Sequence, residues 1–454
     1  ISGAVGLGFD IYTPAGPSLK SFNSTTNGWD GVANTSMQIA NTKGYMFFVR
    51  GDRTVTTSAA PATAVTLRTS GQLYTKGSNA PSTITVPAGK FESVGNPYAS
   101  AIDFRKLTKS AAPDVADIFY VWDPLLTNTY NGLGGYQTIS AANGWKPIPG
   151  GTTNYDASTP SPFIQSGQAF MVNSAGGTGT ISFTETAKEE AQGSAYRPGD
   201  APDEKQFFRA SMANATGAMS DGNVVTFDDA YSNQLDATDA VKIANSSENF
   251  GIKRFGKTLA LEARHTVQAE DTIYYNIGNM RAGNYKLHFA RVNMANTNLS
   301  AMLVDKHLQT VTGISLGDST TVTFNVTGAA AGSYAADRFM VIFKPAVVLP
   351  VTITKIEAVR NNKTTVTVSW NVETETNISR YEVERSNEGR NFTTFTHETP
   401  KANNGGNASY RIIDNQAAAG DNFYRIKAIN ADGRLQYSSI VKVTGTKTDS
   451  DITV

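Results

Sequence analysis

Gly313-Ile314-Ser315-Leu316-Gly317 has the G-x-S-x-G spacing that sets a nucleophilic serine on a strained turn between a strand and a helix. Here it is followed by the strand-like run TVTFNV from Thr321, so a β-turn is the reading its context favours. Arg50-Gly51-Asp52 is an adhesive tripeptide in eukaryotic matrix proteins, but after YMFFV it reads as a charged turn. Asp221, Asp228, Asp229, Asp236 and Asp239 offer the oxygens that calcium needs. Their spacing is not that of an EF-hand, and Asx-turns in a solvated loop are the expectation. His265, His288, His307 and His397 are too scattered for a zinc motif or a histidine triad. Carboxylate pairs for glycoside hydrolysis are defined by their separation in space, so the sequence leaves them open. Trp29, Trp122 and Trp145 could stack sugar rings, although Trp122 inside FYVWDP also reads as core. No catalytic, cofactor or metal residue is assigned.

Composition narrows the field. Lys plus Arg equals Asp plus Glu at 39 each, which lacks the basic excess of a nucleic-acid binder and is permissive for self-assembly. The absence of cysteine removes disulfides and thiolate metal sites. No run of about 18 apolar residues is present, so no helical membrane span is expected. With 22 Phe and 18 Tyr, disorder is not expected either. Ile1 in place of Met reads as a processed end or a fragment boundary.

The elements that must position these residues are strands. YMFFVRG from Tyr45, DIFYVWD from Asp117, QAFMVNS from Gln168, TIYYNI from Thr272 and YKLHFARV from Tyr285 are apolar or alternating runs bounded by turn residues. GYMFFV at Gly44 and GQAFMV at Gly167 echo each other weakly. From Thr365, TVTVSWNV puts Val366, Val368, Trp370 and Val372 on one face, and YEVERS, YRII, FYRIKAI and IVKV follow at the spacing of a small sandwich. Trp370 is expected between two sheets, and Tyr424 near the start of the penultimate strand as in a tyrosine corner. Charged, turn-rich text after Glu185 and the prolines Pro345 and Pro350 mark breaks. The predicted fold is all-β, with tandem β-sandwich domains over 1–188 and 206–345, a linker over 189–205, a fibronectin type III/Ig-like domain over 349–446, and a tether over 447–454.

Several phrases carry a resemblance: GYMFFVRGDR (44–53), VGNPYASAIDF (94–104), FYVWDP (119–124), IQSGQAFMV (164–172), DRFMVIF (337–343) and LPVT (349–352). In this order, ahead of the type III-like module, they resemble the C-terminal region of Bacteroidota proteins exported by the type IX secretion system. The resemblance implies an extracellular or outer-membrane surface location and a sorting domain beyond Val454 that engages the export machinery. It also implies O-glycans on Asp-Ser/Thr motifs, here Ser319 and Thr272. It supplies no single activity. The expectation is a non-catalytic structural or adhesive protein without cofactors, with self-assembly or a surface glycan as its partner. The alternatives are the non-catalytic region of a secreted hydrolase, or a carbohydrate-binding module.

Overall fold

The computed structural model describes residues 11–12, 16–32, 38–49, 71–75, 83–111, 113–126, 134–189, 205–295, 297–346, 351–431 and 433–446. Strands dominate, and helical turns among the described residues are short 3₁₀ segments such as Phe104–Lys106 and Ala141–Asn143.

Period-two alternation over 206–345 builds one eleven-stranded sheet. Its order runs Thr310–Ile314, Leu299–Asp305, Phe339–Pro345, Thr272–Gly278, Asn249–Arg254, Lys257–Arg264, Met219–Phe227, Gln206–Asn214, Gly283–Val292 and Thr320–Val326. Ala240–Val241 pairs off this path with Lys257–Arg264. Neighbours are antiparallel except Met219–Phe227 beside Lys257–Arg264. Inward residues from strands across the sheet, including Phe208, Val225, Tyr275, Leu287, Leu303 and Val341, meet in one cluster. A flat sheet could not bring its distant strands together in this way, so the sheet folds over on itself.

Upstream, a four-stranded sheet (Gly135–Ser140, Ile118–Asp123, Ala169–Asn173, Phe91–Gly95) and several three-stranded ones surround Phe104, Phe119, Ile139, Ile164 and Phe170. Sheets this small bury little by themselves. Ile118, Tyr120, Tyr136 and Met171 accordingly pack with Phe207, Val224, Ala240 and Leu261 in a cluster shared with the eleven-stranded sheet. Met219–Phe227 is therefore apolar on both faces, with Val225 in one cluster and Val224 in the other. Where the sequence reading separates 1–188 from 206–345, contacts join them in one compact unit, Ile1–Pro345, and define a second, Ala346–Val454. All of the 189–205 segment except Glu189 and Lys205, and all of 447–454, lie outside the described residues.

The second unit is a fibronectin type III-like sandwich. Thr352–Arg360, Val366–Thr376 and Asn404–Asp414 form one sheet, while Thr393–Glu398, Ile378–Ser386, Asn422–Asn430 and Leu435–Tyr437 form the other, which Val441–Val443 extends. Val366, Val368, Trp370 and Val372 point into the core as their alternation requires. Trp370 is 1% exposed and stacks on Tyr410 at 4.9 Å. Tyr424, third in Asn422–Asn430, donates its hydroxyl to Asp414 Oδ2 at 2.9 Å. The acceptor is thus a carboxylate, also held by Arg385, rather than the backbone group of the usual corner.

Candidate ligand-binding cleft

Trp122 stands half-buried near the end of strand Ile118–Asp123, between buried Val121 and Asp123. It lines a cleft of about 480 Å³ with Pro124, Thr153, Asn154, Tyr155, Pro160, Ser161, Phe163, Gln165 and Gln168. That volume falls in the range of about 300–1,000 Å³ usual for small-molecule sites. No lining residue is ionised at neutral pH. Three aromatic rings and two prolines supply apolar surface, and five amide or hydroxyl side chains supply hydrogen bonds.

The wall carrying Tyr155 is held from three sides. Asp123 Oδ2 accepts from Thr152 Oγ1 at 2.6 Å and Gln137 Nε2 at 3.0 Å, while its Oδ1 accepts from the Leu125 N–H. Gln137 Oε1 in turn accepts from the Gly150 N–H at 2.7 Å. Arg209, reaching across from Gln206–Asn214, donates to the carbonyls of Pro147 and Pro149 at 3.1 and 3.0 Å. Desolvation lowers its pKa to about 10, which leaves it a cation at neutral pH. Gly150 has φ +69°, and a Cβ there would lie 2.7 Å from the Ala157 Cα, so only glycine fits.

On the opposite rim, Asn96 Nδ2 donates to the carbonyls of Ser100, Ile164 and Gln165. Gln168 spans the cleft by donating to the Tyr155 hydroxyl at 2.8 Å and accepting from the Gln165 N–H at 2.9 Å. Burial raises the Tyr155 pKa, against the Gln168 hydrogen bond and with the Asp123 charge, so the phenol stays neutral. Arg105 lies 5.7 Å from the Phe163 ring centroid with its charge met by Asp103 at 2.8 Å. The side chains of Thr153, Asn154 and Gln165 are exposed and make no hydrogen bond with described residues.

Of the three tryptophans considered together, only Trp122 lines the cleft. Trp29 supports it at one remove, donating Nε1 to the Tyr136 hydroxyl, and Tyr136 packs edge-on against Trp122 at 5.0 Å. Trp145 packs on Phe104 and Phe119 and serves the cleft through its carbonyl, which accepts from the Ser161 N–H. Tyr155, Phe163, Asn154 and Gln165 escaped the sequence reading. Their signal was the Pro- and Ser-rich stretch NYDASTPSPFIQSGQ from Asn154, in which aromatic and amide residues are interspersed with turn formers.

The other candidates resolve into scaffold. Ser315 Oγ accepts from the N–H groups of Gly317 and Asp318 in a turn between Thr310–Ile314 and Thr320–Val326. The five aspartates do not share a solvated loop. Asp228 and Asp236 make Asx-turns with Ala230 and Thr238, as expected. Asp221, however, is buried in a strand, 2.7 Å from Lys242 Nζ and bonded by the Phe250 and Gly222 N–H groups. Asp239 is also buried and accepts from the Ala263 N–H. Among the described residues no three His, Asp or Glu side chains converge on a metal position. Arg50-Gly51-Asp52 lies outside the described residues. Ser319 is exposed in a turn, and Thr272 is half-buried at the start of a strand. No helix among the described residues is long and apolar enough to cross a membrane.

The fold and cleft define an all-β protein in which a folded-over sheet and smaller sheets share one unit and a fibronectin type III-like sandwich forms another. Residues 12–343 match the family described as a domain of unknown function (DUF8693), and the chain belongs to it. No curated protein matches. Among solved structures, a β-1,2-glucanase from Parabacteroides distasonis is 12% identical with a TM-score of 0.16, over 44% of this chain and 37% of that one. The FN1–FN3 domains of chicken CNTN1 are 10% identical with a TM-score of 0.17, over 75% and 98%. Likeness at that level carries no argument about fold or activity.

Proposed function

We propose that this is a non-catalytic structural or adhesive protein, delivered by type IX secretion to the cell surface or the medium. In this reading the type III-like unit acts as a spacer. The observation that carries it is how the buried carboxylates are used: Asp221 with Lys242, Glu262 with Arg264, Asp305 with Arg338 and Asp414 with Arg385. Carboxylates paired in this way serve the scaffold: Asp414 and Arg385 join two strands, and Glu262 and Arg264 neutralise each other along one. An uncharged cleft fits binding better than turnover, since acid–base steps need titratable groups at the site. The phrases that resemble type IX substrates support export, and several of their polar residues have structural work: Asn96 and Asp123 hold the cleft, and Arg338 ties Asp305 to the carbonyls of Asn325 and Ser333.

Protease shaving of intact native cells tests this reading. The protein should be cleaved at the surface or recovered from the medium, and should fail to leave the cell when type IX export is disabled. Retention in the cytoplasm of wild-type cells contradicts it. Peptide mass spectrometry of the exported material should find a glycan on Ser319, whose exposed turn an enzyme can reach, before Thr272.

A further inference from the structure

We infer that the Trp122 cleft binds a neutral oligosaccharide, with Trp122 and Tyr155 contacting sugar-ring faces and Asn154 and Gln165 hydrogen-bonding hydroxyls. This deepens the adhesive reading above and rests on it for its biological setting only. The argument is one of complementarity. Pyranose rings present apolar C–H faces edged by hydroxyl groups, so they need aromatic surface and neutral hydrogen-bonding groups side by side. The cleft supplies both and carries no lysine, arginine or carboxylate on its lining. An anionic ligand would leave its charge unmatched there, and a cationic one likewise.

Preorganisation points the same way. Gln168 already bonds Tyr155, and Asp123, Arg209 and Asn96 hold the two walls. Thr153, Asn154 and Gln165 meanwhile keep their side chains unspent at the mouth. Rigid walls reduce the ordering cost of binding, which then falls on the free amides at the rim. A proline-rich peptide also docks on aromatic surface, but it brings few donors for five polar side chains, so the saccharide is the better match.

The test is titration of the full chain, followed by tryptophan fluorescence and calorimetry. The probes are hexasaccharides of glucose, mannose, xylose and galactose, an oligogalacturonate, a sulfated glycosaminoglycan and a polyproline peptide. At least one neutral hexasaccharide should bind saturably, with the charged probes and the peptide inactive. Trp122→Ala should weaken binding by about tenfold or more, the loss expected of an aromatic anchor. Gln165→Ala and Asn154→Ala alter exposed side chains, spare the fold, and should each weaken it by about threefold or more. Failure of every neutral hexasaccharide at millimolar concentration overturns the inference. Preference for a charged probe or the peptide, or unchanged affinity in the Gln165 and Asn154 variants, overturns it too. Surface display without saccharide binding would sink this inference alone, whereas binding by a protein that never leaves the cell would sink the export reading alone.

Discussion

Removing Lys242 leaves Asp221 buried without its cation, which makes this pair a sharp probe of the interior. Lys242→Met is expected to cost about 3–5 kcal/mol by denaturant unfolding, and adding Asp221→Asn should recover part of that loss. A double variant no better than the single one would show that the pair is not what the site needs. Trp370→Ala should cost about 3–5 kcal/mol in the isolated second unit, because its ring stacks on Tyr410 and meets Tyr381 edge-on. Asp239 provides a pH signature. Burial raises its carboxyl to about 6, opposed by the Asp236 and Ala263 N–H groups and aided by the charges of Asp236 and Glu262. The folded value lies above the unfolded one, so its contribution is fully present at low pH and is lost as pH rises through about 6. Wild-type stability measured relative to Asp239→Asn should therefore fall by up to about 3 kcal/mol between pH 4 and pH 7. A pH-independent difference would contradict this assignment.

Loops behave as elements where enough partners hold them. The 147–157 segment has no regular structure, yet it is tied by Arg209, by Asp123 through Thr152, and by Gln137. Arg209→Lys keeps the charge but loses the planar fork, whose Nη1 reaches the Pro147 and Pro149 carbonyls and whose Nη2 reaches that of Ala157. Amide exchange at residues 150–157 should speed up several-fold in that variant, while strands such as Ile118–Asp123 keep their protection. Uniform loss of protection across the unit would mean that Arg209 supports the whole unit rather than the loop.

The whole molecule should come apart along its shared cores. Residues 351–446 contain the complete cluster around Trp370 and are expected to unfold cooperatively when expressed alone. Residues 1–188 and 206–345 should not separate so cleanly, since parting them uncovers Tyr120 and Ile118 on one side and Val224, Phe207 and Leu261 on the other. Each half should bind a hydrophobic dye or precipitate, while the joined 1–345 unit stays soluble. Two soluble, cooperatively folded halves would overturn that expectation.

Alternation along single strands determined the all-β class, the inward face of Val366–Val372 and the burial of Trp370, because a period-two pattern is a local property of the chain. The turn at Ser315 was equally legible, since glycines on both sides and a strand directly after it define a turn without outside help. Other features could be decided only by tertiary contacts. Asp221 reads as a surface aspartate until Lys242 and the Phe250 N–H close over it, 21 and 29 residues away. The cleft depends on Trp122 meeting a wall some thirty residues downstream, held there by Arg209 from another sheet. Charge pairing and aromatic convergence between segments distant in sequence leave no periodic mark along the chain, and that is the physical reason they stayed hidden.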